Sequence, residues 1–460
     1  MAHPKRNHDV DMTQGSPARL LIGFALPLLA GNIFQQLYNT VDTWVVGNYV
    51  SNEAFSAVGT VSPIINMLIG FFMGLASGAG VVISQYYGAK QEEKVRDTVH
   101  TSVVMTLALG VILTILGILL IPFTLRLMNT PDEVFPESSA YLTIYFGGMM
   151  GLMLYNMGAG ILRAVGDSKR PFYFLVVSAV LNIVLDLLFV IVFHMGVEGV
   201  AYATVLSQAV SASLVLIVLF RSSSCVQLRL HDLKINPFIL RKIIRVGIPA
   251  ALQMAVTAFS NVFVQSYINF FGADCMSGWT AYTKIDQLMI LPMQSLALAA
   301  TTFVGQNLGI NQVDRAKRGT RTAFLLSVGL TVSVMLLVLP AAPYLVAFFN
   351  PRQEVVAFGV LFLRFLSPFY VLCCVNQVYS AALRGAGNSR IPMYLMLFSF
   401  VLFRQCYLFL MSHFISNTVL PIAMGYPAGW LVCSALTLLY YRRVDLSNNR
   451  LVDDHFPAQP

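Results

Sequence analysis

Two aspartates stand inside long apolar runs, and the residues around them point to chemistry. Asp42 lies in the stretch Leu20 to Val50, which begins apolar, carries Pro27, and then turns polar at Asn32, Gln35, Gln36, Asn39, Asp42 and Thr43. On an α-helix, at ~100° per residue, those six side chains fall within an arc of about 120°, so they form one stripe. Asp186 closes a second pattern, with Ser178, Asn182 and Asp186 at i, i+4 and i+8 on one helix face. Thr204 and Ser207 add hydroxyls at i and i+3 in the next apolar run. Asp42, Asn182, Asp186 and Thr204 together make an all-oxygen set. Such a set suits a hard cation such as Na⁺, and the same carboxylates can carry H⁺. An aspartate at the centre of a spanning helix costs about 2.5–3.5 kcal/mol on insertion scales, which marks it as functional by default. The plainer reading is that the acids only cap or pair within a helical bundle. The polar neighbours sharing a face with Asp42 weigh against that.

A third polar stretch, TAYTKIDQLMILPMQS, carries Lys284 and Asp286, with Met289 and Met293 one turn apart. Residues at i and i+2 diverge on a helix, so Lys284 and Asp286 are not expected to pair with each other. Both are expected at a central cavity, where Met289 could adapt to varied apolar ligands. For Lys284, snorkelling toward lipid headgroups is the competing reading. Arg404 is a further cation within an apolar run, with no partner evident from the sequence. No H-E-x-x-H, no G-x-S-x-G and no clustered histidines or acids at a membrane face occur, so nothing points to an enzyme. The seven histidines sit in tails, loops or span ends, where solvated side chains are expected. The six cysteines show no metal-ligand spacing and read as small core hydrophobes; no cofactor is implied.

The elements that must position these residues are membrane helices. The chain of 460 residues is 57% hydrophobic and only 11% charged, with mean hydropathy +0.71, which excludes an ordinary soluble enzyme. Apolar runs of spanning length place twelve helices at about 18–46, 54–86, 98–122, 138–162, 171–193, 197–220, 241–271, 277–308, 320–340, 355–383, 391–412 and 419–441. An even number puts both termini on one side. Of 29 Lys and Arg, 24 fall in the N-terminal tail and after the even-numbered helices, against Arg126 and Arg352 in the opposite loops. That bias places both termini in the cytoplasm. It also explains the net charge of +8 as an orientation signal contacting lipid headgroups, with no nucleic acid involved. No signal-peptide pattern opens the chain.

A shift of about 221 residues superposes the two halves. Ser84-Gln85-Tyr86-Tyr87-Gly88 meets Gly305-Gln306-Asn307-Leu308-Gly309, and Leu162-Arg163-Ala164-Val165-Gly166-Asp167 meets Leu383-Arg384-Gly385-Ala386-Gly387-Asn388. With a one-residue slip, Phe24-Ala25-Leu26-Pro27 meets Val246-Gly247-Ile248-Pro249. The fold class that follows is an all-α polytopic membrane protein, with two six-helix lobes related by a pseudo-two-fold along the membrane normal. The expected layout is an N-terminal tail 1–16, a lobe 17–220, a linker 221–240, a lobe 241–442 and a tail 443–460, the last polar and disordered from Val444. In each Leu-Arg-x-x-Gly loop the glycine is expected to make the turn, a structural role. Two matched lobes with polar residues between them suit alternating access. The acids are not repeated: Val264 stands at the position of Asp42, Phe403 at Asn182 and Tyr407 at Asp186. Carboxylates needed only to hold six-helix bundles together should recur in both halves, so their asymmetry favours function.

The paired halves, the Gln-x-x-Gly helix ends and the Leu-Arg-x-x-Gly-[Asp/Asn] loops resemble the multidrug and toxic compound extrusion (MATE) family over about residues 17–442. Asp42 with Asn182, Asp186 and Thr204 is similar to the pattern of its DinF-like branch. The resemblance implies a cation site at these four residues serving Na⁺ or H⁺ coupling, and a bend in the first helix at Pro27. It also implies efflux of amphipathic, often cationic drugs or toxic metabolites across the plasma membrane by a monomer in the lipid bilayer. Gln35, Gln36, Asn39, Asn156, Lys284, Asp286 and Met289 are the candidates for the substrate cavity. The alternative is a flippase of lipid-linked precursors, which should line its cavity with several arginines.

Overall fold

The computed structural model describes residues 9–50, 52–128 and 130–452. Among these there are twelve long helices and no strand. They are α1 (Pro17–Tyr49), α2 (Asn52–Gly88), α3 (Glu92–Leu127), α4 (Phe135–Ala164), α5 (Lys169–Val192), α6 (Gly196–Arg221), α7 (Pro237–Asn269), α8 (Ala273–Gly309), α9 (Val313–Phe349), α10 (Gln353–Gly385), α11 (Arg390–Ile415) and α12 (Val419–Arg443). All but α4 are apolar enough by composition to cross a membrane; glycines and tyrosines dilute α4. Several helices overrun the expected spans. α3 and α9 continue into polar segments, where Glu92, Glu93 and Asp314 in their first turns suit the positive end of the helix dipole.

The chain forms two compact units, and the change of unit falls inside helices. Residues 9–11 and Ala30–Ile248 make one unit; Met12–Leu29 and 249–452 make the other. Lobes cut at 17–220 and 241–442 would exchange in the loops. Here the exchange comes just after Pro27 in α1 and at Pro249 in α7. Leu21, Phe24 and Leu28 accordingly share a buried cluster with Leu296, Phe303 and Val378 of the second unit. The first turns of α7 pack in the first unit, where Gly247 abuts Gly78 so closely that a Cβ on Gly78 would meet the Gly247 Cα at 2.4 Å.

In the first unit α4 packs against α2, α3 and α6. Gly148 and Gly158 let α6 approach, since a Cβ at either would strike Val205 or Val215. In the second unit α8 packs against α9 and α10, and α10 against α12. Trp279, Tyr282, Phe362, Tyr370 and Trp430 form an aromatic centre there, with Trp279 and Phe362 edge-on at 4.9 Å.

The Leu-Arg-x-x-Gly loops are turns, as their glycines require. Gly166 has φ +87° and Gly387 φ +93°, and the residue after each closes the turn onto the Leu162 or Leu383 carbonyl. Asp167 then accepts the Lys169 and Arg170 amides at 3.1 Å, capping α5. The Val10 amide donates to the Val165 carbonyl, and a Cβ on Gly166 would stand 2.3 Å from the Val10 oxygen. Gly166→Ala should therefore lower stability by about 1–3 kcal/mol. A thermal midpoint in detergent equal to that of the wild type would contradict this.

Two expectations are corrected. The described residues beyond Val444, through Val452, are packed against the second unit rather than disordered. Leu446 and Leu451 are buried, and Arg450 donates to the Leu308 and Gly309 carbonyls that end α8. Apolar residues spaced through a polar segment tie it down. His100 is buried too, against the expectation of solvation. Its Nδ1 donates to the Arg96 carbonyl and its Nε2 accepts the Arg229 amide at 3.1 Å, so it pins the linker onto α3. His3, His8 and His455 lie outside the described residues.

Candidate functional site

Three helices of the first unit supply the acidic set: α1 gives Asp42, α5 gives Asn182 and Asp186, and α6 gives Thr204. Asn182 and Asp186 have no exposed surface. The Asp42 and Asp186 carboxyls hydrogen-bond each other; beyond that pair, neither polar atom of Asn182, neither carboxyl oxygen of Asp186, and not Oδ1 of Asp42 has a hydrogen-bond partner among the described residues. Asp42 and Asp186 are each other's electrostatic neighbours. Among the described residues no basic side chain forms an ion pair with either. Buried polar atoms normally find partners, because leaving one unmade costs about 1–3 kcal/mol. A cluster of unsatisfied oxygens around two carboxyls has the donor chemistry to take a small cation or a proton.

The surroundings are ordered to keep the set in place. Ser178, one turn before Asn182, donates to the Ser207 carbonyl at 2.9 Å and so ties α5 to α6. Thr204 donates to Val200 O at 3.0 Å, leaving its lone pairs for a ligand. Directly after Asp186, α5 widens into π geometry over Leu187–Val192, a local irregularity frequent at functional positions. The Tyr141 hydroxyl interacts with Thr204 and with both carboxyls, and Tyr38 with Asp42 and Gln35. Tyr141 and Tyr145 stack at 6.4 Å.

The other cavity candidates are spread over both units. On α1, Asn39 is exposed and bonds Gln36 at 3.4 Å, and Gln35 and Gln36 are half-buried. Asn156 donates to its own helix at Leu152 O. The Thr43 side chain lies outside the described residues. On α8 the two charges separate, as the i, i+2 spacing requires: Lys284 is exposed, while Asp286 accepts the Tyr370 hydroxyl. Met289 is buried in the aromatic core of the second unit rather than presented at a surface.

The second unit has no acid at the matching positions. Val264 is fully buried, and Tyr407 donates to Pro421 O at 3.0 Å. Instead it buries Arg404, whose partners the sequence left open. The guanidinium donates to Ser260 Oγ at 3.3 Å and Asn261 Oδ1 at 3.2 Å, between the rings of Phe400 and Tyr426.

The sequence family described as MatE matches residues 27–188 and 249–407, one stretch in each half. The chain belongs to the MATE family. It is 31% identical over 92% of its length, and 92% of the relative's, to the probable multidrug resistance protein YoeA of Bacillus subtilis (strain 168). Two solved MATE structures, one in a bent and one in a straight conformation, superpose with TM-scores of 0.88 and 0.89. Both are 26% identical to the chain; the bent one covers 94% of it and 96% of its own length, the straight one 95% and 98%. Family membership makes this chain a membrane transporter rather than an enzyme.

Sequence reasoning missed the tyrosines of this MATE protein. Tyr38 had a signal, since it stands four residues before Asp42 and so on the same face. Tyr141 and Tyr145 had none, because nothing in the chain ties α4 to the acids until α6 is packed against it.

Proposed function

We propose that this MATE protein is a secondary antiporter that exports amphipathic, often cationic compounds in exchange for Na⁺ or H⁺. The observation carrying the proposal is the pair Asp42 and Asp186, the second fully buried, with the unsatisfied Asn182 on the same helix face as Asp186. In this mechanism the ion enters from outside, Asp42 and Asp186 supply its counter-charge, and Asn182 and Thr204 complete an oxygen shell. No third acid stands with them among the described residues, which suits a monovalent ion or a proton. The Gln35, Gln36, Asn39 and Asn156 side chains of the first unit offer hydrogen bonds to an exported compound. Coupling is a difference in affinity: a loaded cation site must weaken the hold on the compound, typically by about 1–3 kcal/mol. Pro27 lets α1 bend as the site loads. Both termini face the cytoplasm, following the Lys and Arg bias, and the working unit is one chain in the plasma membrane.

Purified protein in liposomes, loaded with a cationic dye and given an inward Na⁺ or pH gradient, tests this. Dye movement should follow one of the two gradients and stop when it is collapsed. Movement indifferent to both, or binding of diphosphate lipids without dye efflux, would overturn the proposal.

A further inference from the structure

The second unit holds one buried carboxyl system that the mechanism above leaves unused. Asp286 on α8 accepts the Tyr370 hydroxyl from α10, and the Tyr282 and Tyr370 hydroxyls lie 3.3 Å apart. Tyr282 and Tyr370 are buried, whereas Asp286 keeps partial exposure, so a proton can reach it without the core opening. The groups facing Asp286 are Tyr282 on its own helix, Tyr370 and Cys373 on α10 and Tyr426 on α12. Beyond Tyr426 and Cys373 stands Arg404 on α11, which interacts with both. Among the described residues Arg404 has no carboxylate within ion-pair distance.

We propose that this cluster is a second proton site, with Asp286 as the acceptor and the Tyr370 and Tyr282 hydroxyls as its hydrogen-bonding arm. The proton adds to a carboxylate oxygen of Asp286 and no other bond changes. Ionised, Asp286 brings a negative charge into a unit whose interior also holds the Arg404 cation, with Tyr426 and Cys373 standing between the two. Protonated, it makes that low-dielectric interior more positive by one charge, and charge there acts over distance. A positive interior repels a cationic compound. Resting on the antiport reading, proton uptake here would therefore act in the same sense as ion binding in the first unit.

The test reads protonation directly and does not depend on transport. Infrared difference spectra between acid and neutral pH are taken on the reconstituted protein carrying Asp42→Asn and Asp186→Asn, which silences the first-unit acids. Among the titrating carboxyl signals that remain, one component should be lost when Asp286→Asn is added. In the same background Tyr370→Phe, which keeps the carboxyl, should move the midpoint upward by about one pH unit or more, because the ionised form loses a donated hydrogen bond. A spectrum unchanged by Asp286→Asn, or a midpoint unmoved by Tyr370→Phe, overturns the proposal. Either outcome leaves the antiport reading standing, since that reading is decided by dye efflux.

Discussion

Asp42→Asn should bring ion-driven efflux down to the level of empty liposomes while leaving the protein as stable as the wild type, or slightly more so. The two effects have one origin. Asp42 and Asp186 are neighbouring acids in a buried site, without an ion pair to a basic side chain among the described residues. Replacing one by the isosteric amide relieves the crowding of two acids in a buried site and keeps a hydrogen-bonding group there, a change of up to about 1 kcal/mol. The same change removes one of the site's two carboxyls. Asparagine neither carries a proton nor supplies counter-charge to Na⁺, so the differential affinity behind coupling, worth about 5–150-fold in a typical case, is lost. Asp186→Asn should behave alike. Dye efflux under the gradient and a thermal midpoint, measured on one preparation, separate the alternatives. Efflux above half of the wild-type rate would remove Asp42 from the site. A midpoint several degrees lower would show that the acids serve packing instead.

The acids were legible in the sequence because an ionised side chain inside an apolar run stands out against its cost. The helices were legible for the same reason, and the repeat exposed the two-unit plan through motifs that recur at helix ends. Arg404 was visible but unreadable. Its partners lie more than a hundred residues away on α7 or are aromatic rings, and neither kind of partner leaves a charge pattern. The tyrosines around the acids were hidden because a phenol is spaced and buried like any core residue until packing shows what its hydroxyl meets. His100 and the segment 444–452 were misread from position alone, because polarity near a helix end says nothing about which backbone groups need a partner. Least legible was the exchange of helix segments between units. Apolar periodicity shows which face of a helix is buried, but not which neighbours bury it.

Those exchange points set the second large prediction. α1 is one continuous helix whose residues up to Leu29 pack in the second unit and whose residues from Ala30 pack in the first. Pro27 stands two residues before that change, and Pro249 stands at the equivalent change in α7. Proline has no amide hydrogen, so each helix lacks one rung of its hydrogen-bond ladder where its packing partner changes, and a helix bends most readily there. Pro27→Ala restores the rung, at the Gly23 carbonyl, and a straightened α1 should hold its arrangement more firmly. The expected result is a thermal midpoint equal to or above that of the wild type, with efflux reduced at least about tenfold. Pro249→Ala is the internal control. α7 carries no acid of the proposed site, so its loss of efflux should be smaller. If both variants lose activity equally, bending of α1 has no special link to the cation site and the prolines serve only to let the two helices pass between units. If Pro27→Ala transports normally, Asp42 does its work from a helix that need not bend at all.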